Sequence, residues 1–169
     1  MAAVVLGLAM VALVPAVALA HPLGNFTINH YAGIRVEPDR VLLDVVVDQA
    51  EIPTFQARLG FDSDGDGEVS DDEADAGRTT ECDGLTPSLE LVVDGVRQDL
   101  VLTDAGLTFP AGAGGLSTMR LVCEYRADLS TPISTATSVS YADASFPGRL
   151  GWREIAIEGS GVTISAVEG

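Results

Sequence analysis

The chain has 169 residues, with 25 acidic side chains against 9 basic ones and a net charge of −16. That balance argues against nucleic acid or an anionic lipid surface as a partner and favours cations. Its length allows one ordinary domain with a core of its own.

Residues 1–20 read MAAVVLGLAMVALVPAVALA, an apolar run ending in Ala18-Leu19-Ala20, with the polar stretch HPLGN directly behind it. A small-x-small ending of this kind predicts a signal peptide cleaved after Ala20, so that an exported domain spans 21–169. No basic residue precedes the apolar core. The alternative is an uncleaved membrane anchor, since twenty such residues can span a bilayer. Export places the domain in the periplasm, on the cell surface or in the medium. It also predicts that the two cysteines, Cys82 and Cys123, form a disulfide rather than two buried thiols. Closing that loop stabilises the fold by about 4 kcal/mol in a chain-entropy account.

Taken in order, NFTINHYAGIRV alternates, with Phe26, Ile28, His30 and Ile34 sharing one face, and Thr27, Asn29, Tyr31 and Arg35 the other. EPDR is a turn, and VLLDVVVD is a β-branched run suited to a central strand. The pair reads as a hairpin. In QAEIPTFQARLG the apolar residues Ile52, Phe55 and Leu59 fall at helical spacing, with Pro53 in the first turn. An acidic loop follows, then DDEADAGRTTEC, expected to give at most a short helix stopped near Gly77. Strand signals resume at SLELVVDGVRQDLVLTD, where Asp94-Gly95 marks a hairpin turn. DAGLTFPAGAGGLS is glycine-rich and reads as an exposed loop. STMRLVCEYRADL points Met119, Leu121, Cys123 and Tyr125 inward, against Arg120, Glu124 and Arg126 outward. ATSVSYAD, WREIAIEG and GVTISAV are further short strands, with Tyr141 and Trp152 as core or sheet residues. The sum is a mostly β fold: an antiparallel, immunoglobulin-like β-sandwich with a helix–calcium-loop insertion at about 51–77.

The acidic loop carries the chemistry. Between Asp62 and Asp75 the sequence places eight carboxylates and no basic residue, an arrangement that opposes folding unless something cancels the charge. Set against the twelve-position calcium loop, Asp62, Asp64 and Asp66 take positions 1, 3 and 5, and Gly67 the sharp turn at 6. Glu68 offers its backbone carbonyl at 7, Val69 is the apolar position 8, Ser70 stands at 9, and Glu73 is the bidentate ligand at 12. Calcium takes six to eight hard oxygen donors, and this spacing gathers them around one point; magnesium demands a tighter octahedron. The side chains of Glu68, Asp71, Asp72 and Asp75 read as solvated surface charge. Only the entering helix is expected. With no second loop for Val69 to pair with, the site reads as a structural clamp of affinity around 10⁻⁴ to 10⁻³ M, ample outside the cell.

Cleavage after Ala20 would leave His21 at the amino terminus, where its α-amine and ring nitrogen could chelate copper or nickel with His30 as a second imidazole. His30 also fits a hydrogen-bonded core histidine. Two histidines support no Ser/His/Asp relay, bridged cysteines support no Cys/His pair, and no glycine loop cradles phosphate, so an enzyme is not expected.

The strings HPLGNFTINHYAGI, VVVDQAEIPTFQ and YADASFPGRLGWREI, in that order around the calcium loop, resemble the exported N-terminal region of bacterial nickel/cobalt transporter-like membrane proteins. The resemblance implies a multi-helix membrane domain as the partner of such a region. This chain ends at Gly169 without one, so it is expected to be a truncated or free-standing version whose residues form no translocation path. It further implies metal handling, nickel or cobalt included, at His21 and His30, which lie in the opening motif. Three readings follow: a calcium-stiffened accessory domain in a transporter-like setting; a copper- or nickel-binding protein for delivery or redox chemistry; and a structural or adhesive sandwich.

Overall fold

The structure is a computed structural model and describes residues 24–168; the expected leader and His21 lie outside the described residues. Eight strands form two sheets. Strands β1 (Ile28–Val36), β2 (Arg40–Gln49), β5 (Val101–Thr108), β6 (Met119–Asp128) and β8 (Arg153–Gly159) make the larger sheet, in the order β5-β6-β2-β1-β8. Strands β3 (Leu89–Val93), β4 (Val96–Arg97) and β7 (Val139–Asp143) make the smaller, in the order β4-β3-β7. Two helices, α1 (Glu51–Ala57) and α2 (Asp71–Leu85), lie between β2 and β3.

The alternation of the first two strands survives intact. β1 and β2 pair antiparallel from Ile28↔Gln49 to Val36↔Val41, and β2 pairs with β6 along its whole length. Because side chains alternate with period two, Ile28, Ala32 and Ile34 face the same core as Val41, Leu43, Val45 and Val47, and as Leu121, Cys123 and Tyr125. Leu89 and Leu91 of the smaller sheet and Cys82 and Leu85 of α2 close that core from the other side. The Cys82–Cys123 disulfide is formed and ties α2 to β6. The Asp94-Gly95 turn is also as expected, both residues having positive φ (50° and 77°), the backbone that a two-residue hairpin loop requires.

Several expectations fail, most of them for a contact that sequence distance hides. The helix after the acidic loop does not stop at Gly77 but continues to Leu85. A Cβ on Gly77 would lie 2.6 Å from Cδ1 of Phe61, so this glycine lets the Phe61 ring approach the helix rather than ending it. In α1, Phe55 (48 % exposed) and Leu59 (71 %) face outward while Glu51, Pro53 and Thr54 are buried. The helix tightens to a 3₁₀ turn at Arg58–Gly60, and packing follows the start of the helix, not the apolar spacing. Phe26 is exposed because the strand begins at Ile28, after a 3₁₀ turn at Gly24–Phe26. The predicted loop from Asp104 is strand as far as Thr108, since β5 pairs with β6 through a bulge between Leu102 and Asp104. The segment 161–167 is not a strand: Ser160 donates its N–H to the Val36 carbonyl, and Gly161 (φ 77°) turns the chain against Pro38, leaving Val162 and Ile164 packed on the core edge. The sheets are not purely antiparallel either, because β1 and β8 run parallel. Trp152 lies outside β8 and half-exposed, whereas Tyr141 sits within β7.

Candidate functional site

The acidic loop joins the two helices, so the helix–loop–helix unit expected by half is present in full. Its entry is fixed by Phe61, the residue before the first aspartate, buried and edge-on to Phe109 with ring centroids 5.5 Å apart. Its exit is fixed by Ser70, which caps α2. The Ser70 hydroxyl accepts the Glu73 N–H, while Glu73 Oε2 accepts the Ser70 N–H at 2.9 Å. This reciprocal box satisfies two donors that a helix start leaves open.

Inside the loop the backbone curls around the carboxylates. Asp62 accepts the Gly65 N–H through Oδ1 (2.7 Å) and the Gly67 N–H through Oδ2 (2.9 Å). Asp64 accepts the N–H of Asp66, and Asp66 that of Glu68. Gly65 and Gly67 take φ of 76° and 89°, a region that side chains disfavour. The result brings one carboxylate oxygen from each of Asp62, Asp64 and Asp66 within 4.8 Å of one another. Among the described residues, none of the three lies within ion-pair distance of a basic group. Three like charges so close repel strongly, and a cation among them would turn that repulsion into attraction.

Of the other predicted ligands, Glu68 is exposed, and Ser70 and Glu73 form the helix cap; the apolar Val69 packs against the core. Glu73 is not part of the converging trio. Its Oε1 accepts the Ser63 N–H (2.6 Å) and hydroxyl (2.8 Å). The Ser70 and Ser63 donors hold its carboxyl down at about 2. Asp71, Asp72 and Asp75 are exposed, as expected.

His30 sits elsewhere, buried at 4 % exposure, in a cluster that sequence reasoning missed. Its Nδ1 is 2.7 Å from Oδ2 of Asp143. A carboxylate only accepts, so Nδ1 carries a proton. The Ser145 hydroxyl and N–H both donate to Asp143 Oδ1. Arg153 lies 3.1 Å from Oδ2 and also donates to the carbonyls of Asp143 and Ser145. Burial pushes the Asp143 carboxyl up, but the hydrogen bonds from His30 and Ser145 prevail and hold it at about 2. Ser145 Oγ stands 3.4 Å from the same Nδ1 that Asp143 occupies, so the three do not form a nucleophile–base relay, which needs the two partners on different ring nitrogens. The cluster pins β1 to the end of β7 and to β8. For the predicted transition-metal pair, it leaves His30 a single ring nitrogen. The one sequence signal for it was the parity that placed His30 on the core face.

Glu51 of the AEIPTF string is likewise structural. It is buried and accepts the Ala113 N–H at 2.7 Å, docking the glycine-rich loop on the start of α1. Among the described residues, no helix is long and apolar enough to cross a membrane. No family model, curated protein or solved structure matches the chain.

Proposed function

We propose that this chain is an exported, calcium-binding accessory domain, an immunoglobulin-like sandwich in which the ion acts as a structural clamp. The observation that carries the reading is the convergence of the Asp62, Asp64 and Asp66 oxygens in a loop with no basic partner. The donor chemistry fits: all three are hard anionic oxygens, as calcium prefers. Asp62, Asp64 and Asp66, the Glu68 carbonyl, Ser70 and Glu73 would hold the ion. Bound there, it supplies a double positive charge that cancels the repulsion within the loop.

The clamp reading, rather than a sensor, is supported by how the loop is attached. Both of its ends are already fixed, by Phe61 at the entry and by the disulfide-tethered α2 at the exit. A sensor loop works by swinging its helices apart, which these anchors oppose. The likeness of its strings to nickel/cobalt transporter-like proteins supports a setting beside a membrane transporter domain. Calorimetric titration of metal-stripped protein with calcium tests the reading. One saturable site, lost in the Asp62→Asn/Asp64→Asn variant, is expected; a binding isotherm unchanged in that variant would reject the assignment.

A further inference from the structure

One buried polar side chain belongs to neither carboxylate cluster. Gln49 ends β2 in the same inward parity as Leu43, Val45 and Val47, where the strand's pattern calls for an apolar residue. It is 6 % exposed. Its main-chain carbonyl accepts the Thr54 hydroxyl, but its carboxamide makes no hydrogen bond among the described residues. An amide drawn largely out of water and left without a partner opposes folding.

Gln49 lines a cleft of about 310 Å³ between the inner face of the larger sheet and α2. That size is at the low end of small-molecule sites, about 300–1,000 Å³. Met119, which pairs with Gln49 across the sheet, lines it together with Leu85 and Leu121, all three buried. Phe146 supplies a further wall. Its φ of 49° lies where a bulky side chain is disfavoured. The edge contact with His30, ring centroids 5.6 Å apart, and the hydrogen bonds of Ser145 to Asp143 hold it there. Backbone strain kept in this way collects at binding sites.

The lining selects the occupant. A carboxamide both donates and accepts, so its complement is a group that does both, such as a peptide group. The apolar walls suit the side chain beside that group. Glu81, also on the lining, and a net charge of −16 disfavour an anion. We propose that this cleft binds a short apolar peptide free of anionic groups, one peptide group pairing with the Gln49 carboxamide and the adjoining side chain lying against Met119, Leu121 and Phe146.

The side-chain amide resonances of ¹⁵N-labelled protein report on this site, with Gln56 and Gln98, the other two glutamines of the chain, as internal controls. Titration with N-acetyl-leucinamide should shift the Gln49 resonances saturably and leave the controls in place. The anionic N-acetyl-leucine, of matching size, should bind several-fold more weakly. Gln49→Leu should lose the titration yet melt higher than the parent, because it removes a buried amide that has no partner. No saturable shift at Gln49, or one shared by Gln56 and Gln98, overturns the proposal. Equal binding of the two probes overturns it as well. A lower melting point in Gln49→Leu also does so, since the amide would then be a structural group.

Discussion

Two carboxylate clusters in this molecule are built in opposite ways. Asp143 is surrounded by side-chain donors of its own protein: His30, Ser145 and Arg153 all reach it, and its charge is answered from within. Asp62, Asp64 and Asp66 accept only backbone N–H groups, and one oxygen of each lies within 4.8 Å of the others. Partial charges on amides do not neutralise three carboxylates. A cluster completed by side chains stiffens the fold, while one left open to a cation makes stability depend on the medium. The difference lies in where the compensating charge comes from.

The largest way to break this contrast is to cut the anchor of the loop. A Cys82→Ser/Cys123→Ser variant should lose about 4 kcal/mol of stability in denaturant melts, with α2 loosened from β6. If the loop keeps its calcium affinity in that variant, the ion site is local to Asp62–Glu73. A loss of affinity would show that the disulfide preorganises it.

Next comes the internally completed cluster. Asp143→Ala leaves the buried His30 without its acceptor and should cost about 3 kcal/mol, with no change in calcium binding. The same group sets an acid limit. Its folded value of about 2 lies below the ordinary carboxylate value near 3.8. The stabilisation is therefore complete above about pH 4 and is lost as pH falls through 2. Discounted for solvent screening, that is about 1 kcal/mol, read as the difference in acid unfolding between the parent and Asp143→Asn.

A smaller effect has a sign that helix propensity alone would get wrong. Gly→Ala inside a helix ordinarily stabilises by up to about 1 kcal/mol. Gly77→Ala places a methyl against the Phe61 ring and should destabilise by about 1–2 kcal/mol, with weaker calcium binding as the loop entry shifts. The smallest concerns a third row of carboxylates on the outer face of the larger sheet. Asp44 stands opposite Glu124, and Glu124 opposite Asp104. Like charges facing across strands oppose pairing, so Glu124→Gln should stabilise by about 0.5 kcal/mol in low salt, an effect that salt erases.

What the sequence made legible divides along the same line. The central strands could be read because period two and β-branched runs are local properties. So could the gathering of Asp62, Asp64 and Asp66 around one point, because such a loop is a contiguous motif. The disulfide followed from compartment and count. What could not be read depended on partners far along the chain. Gly77 looks like a helix stop until Phe61 is seen above it, and β5 looks like loop until β6 is beside it. Likewise His30 acquires its role only from Asp143, 113 residues on. Phe55 and Leu59 misled for another reason: their spacing is helical, but the α-helix gives way to a 3₁₀ turn at Arg58–Gly60 and both side chains face outward.

The central claim is that a divalent ion completes the trio at Asp62, Asp64 and Asp66, and thermal melting of the metal-stripped protein with and without calcium tests it most directly. At a calcium concentration one hundred times the dissociation constant, the account predicts about 2.7 kcal/mol of added stability. For a domain of this size that is a rise in midpoint of roughly 5–10 °C, absent in Asp62→Asn/Asp64→Asn. An unchanged midpoint at that calcium concentration would contradict it.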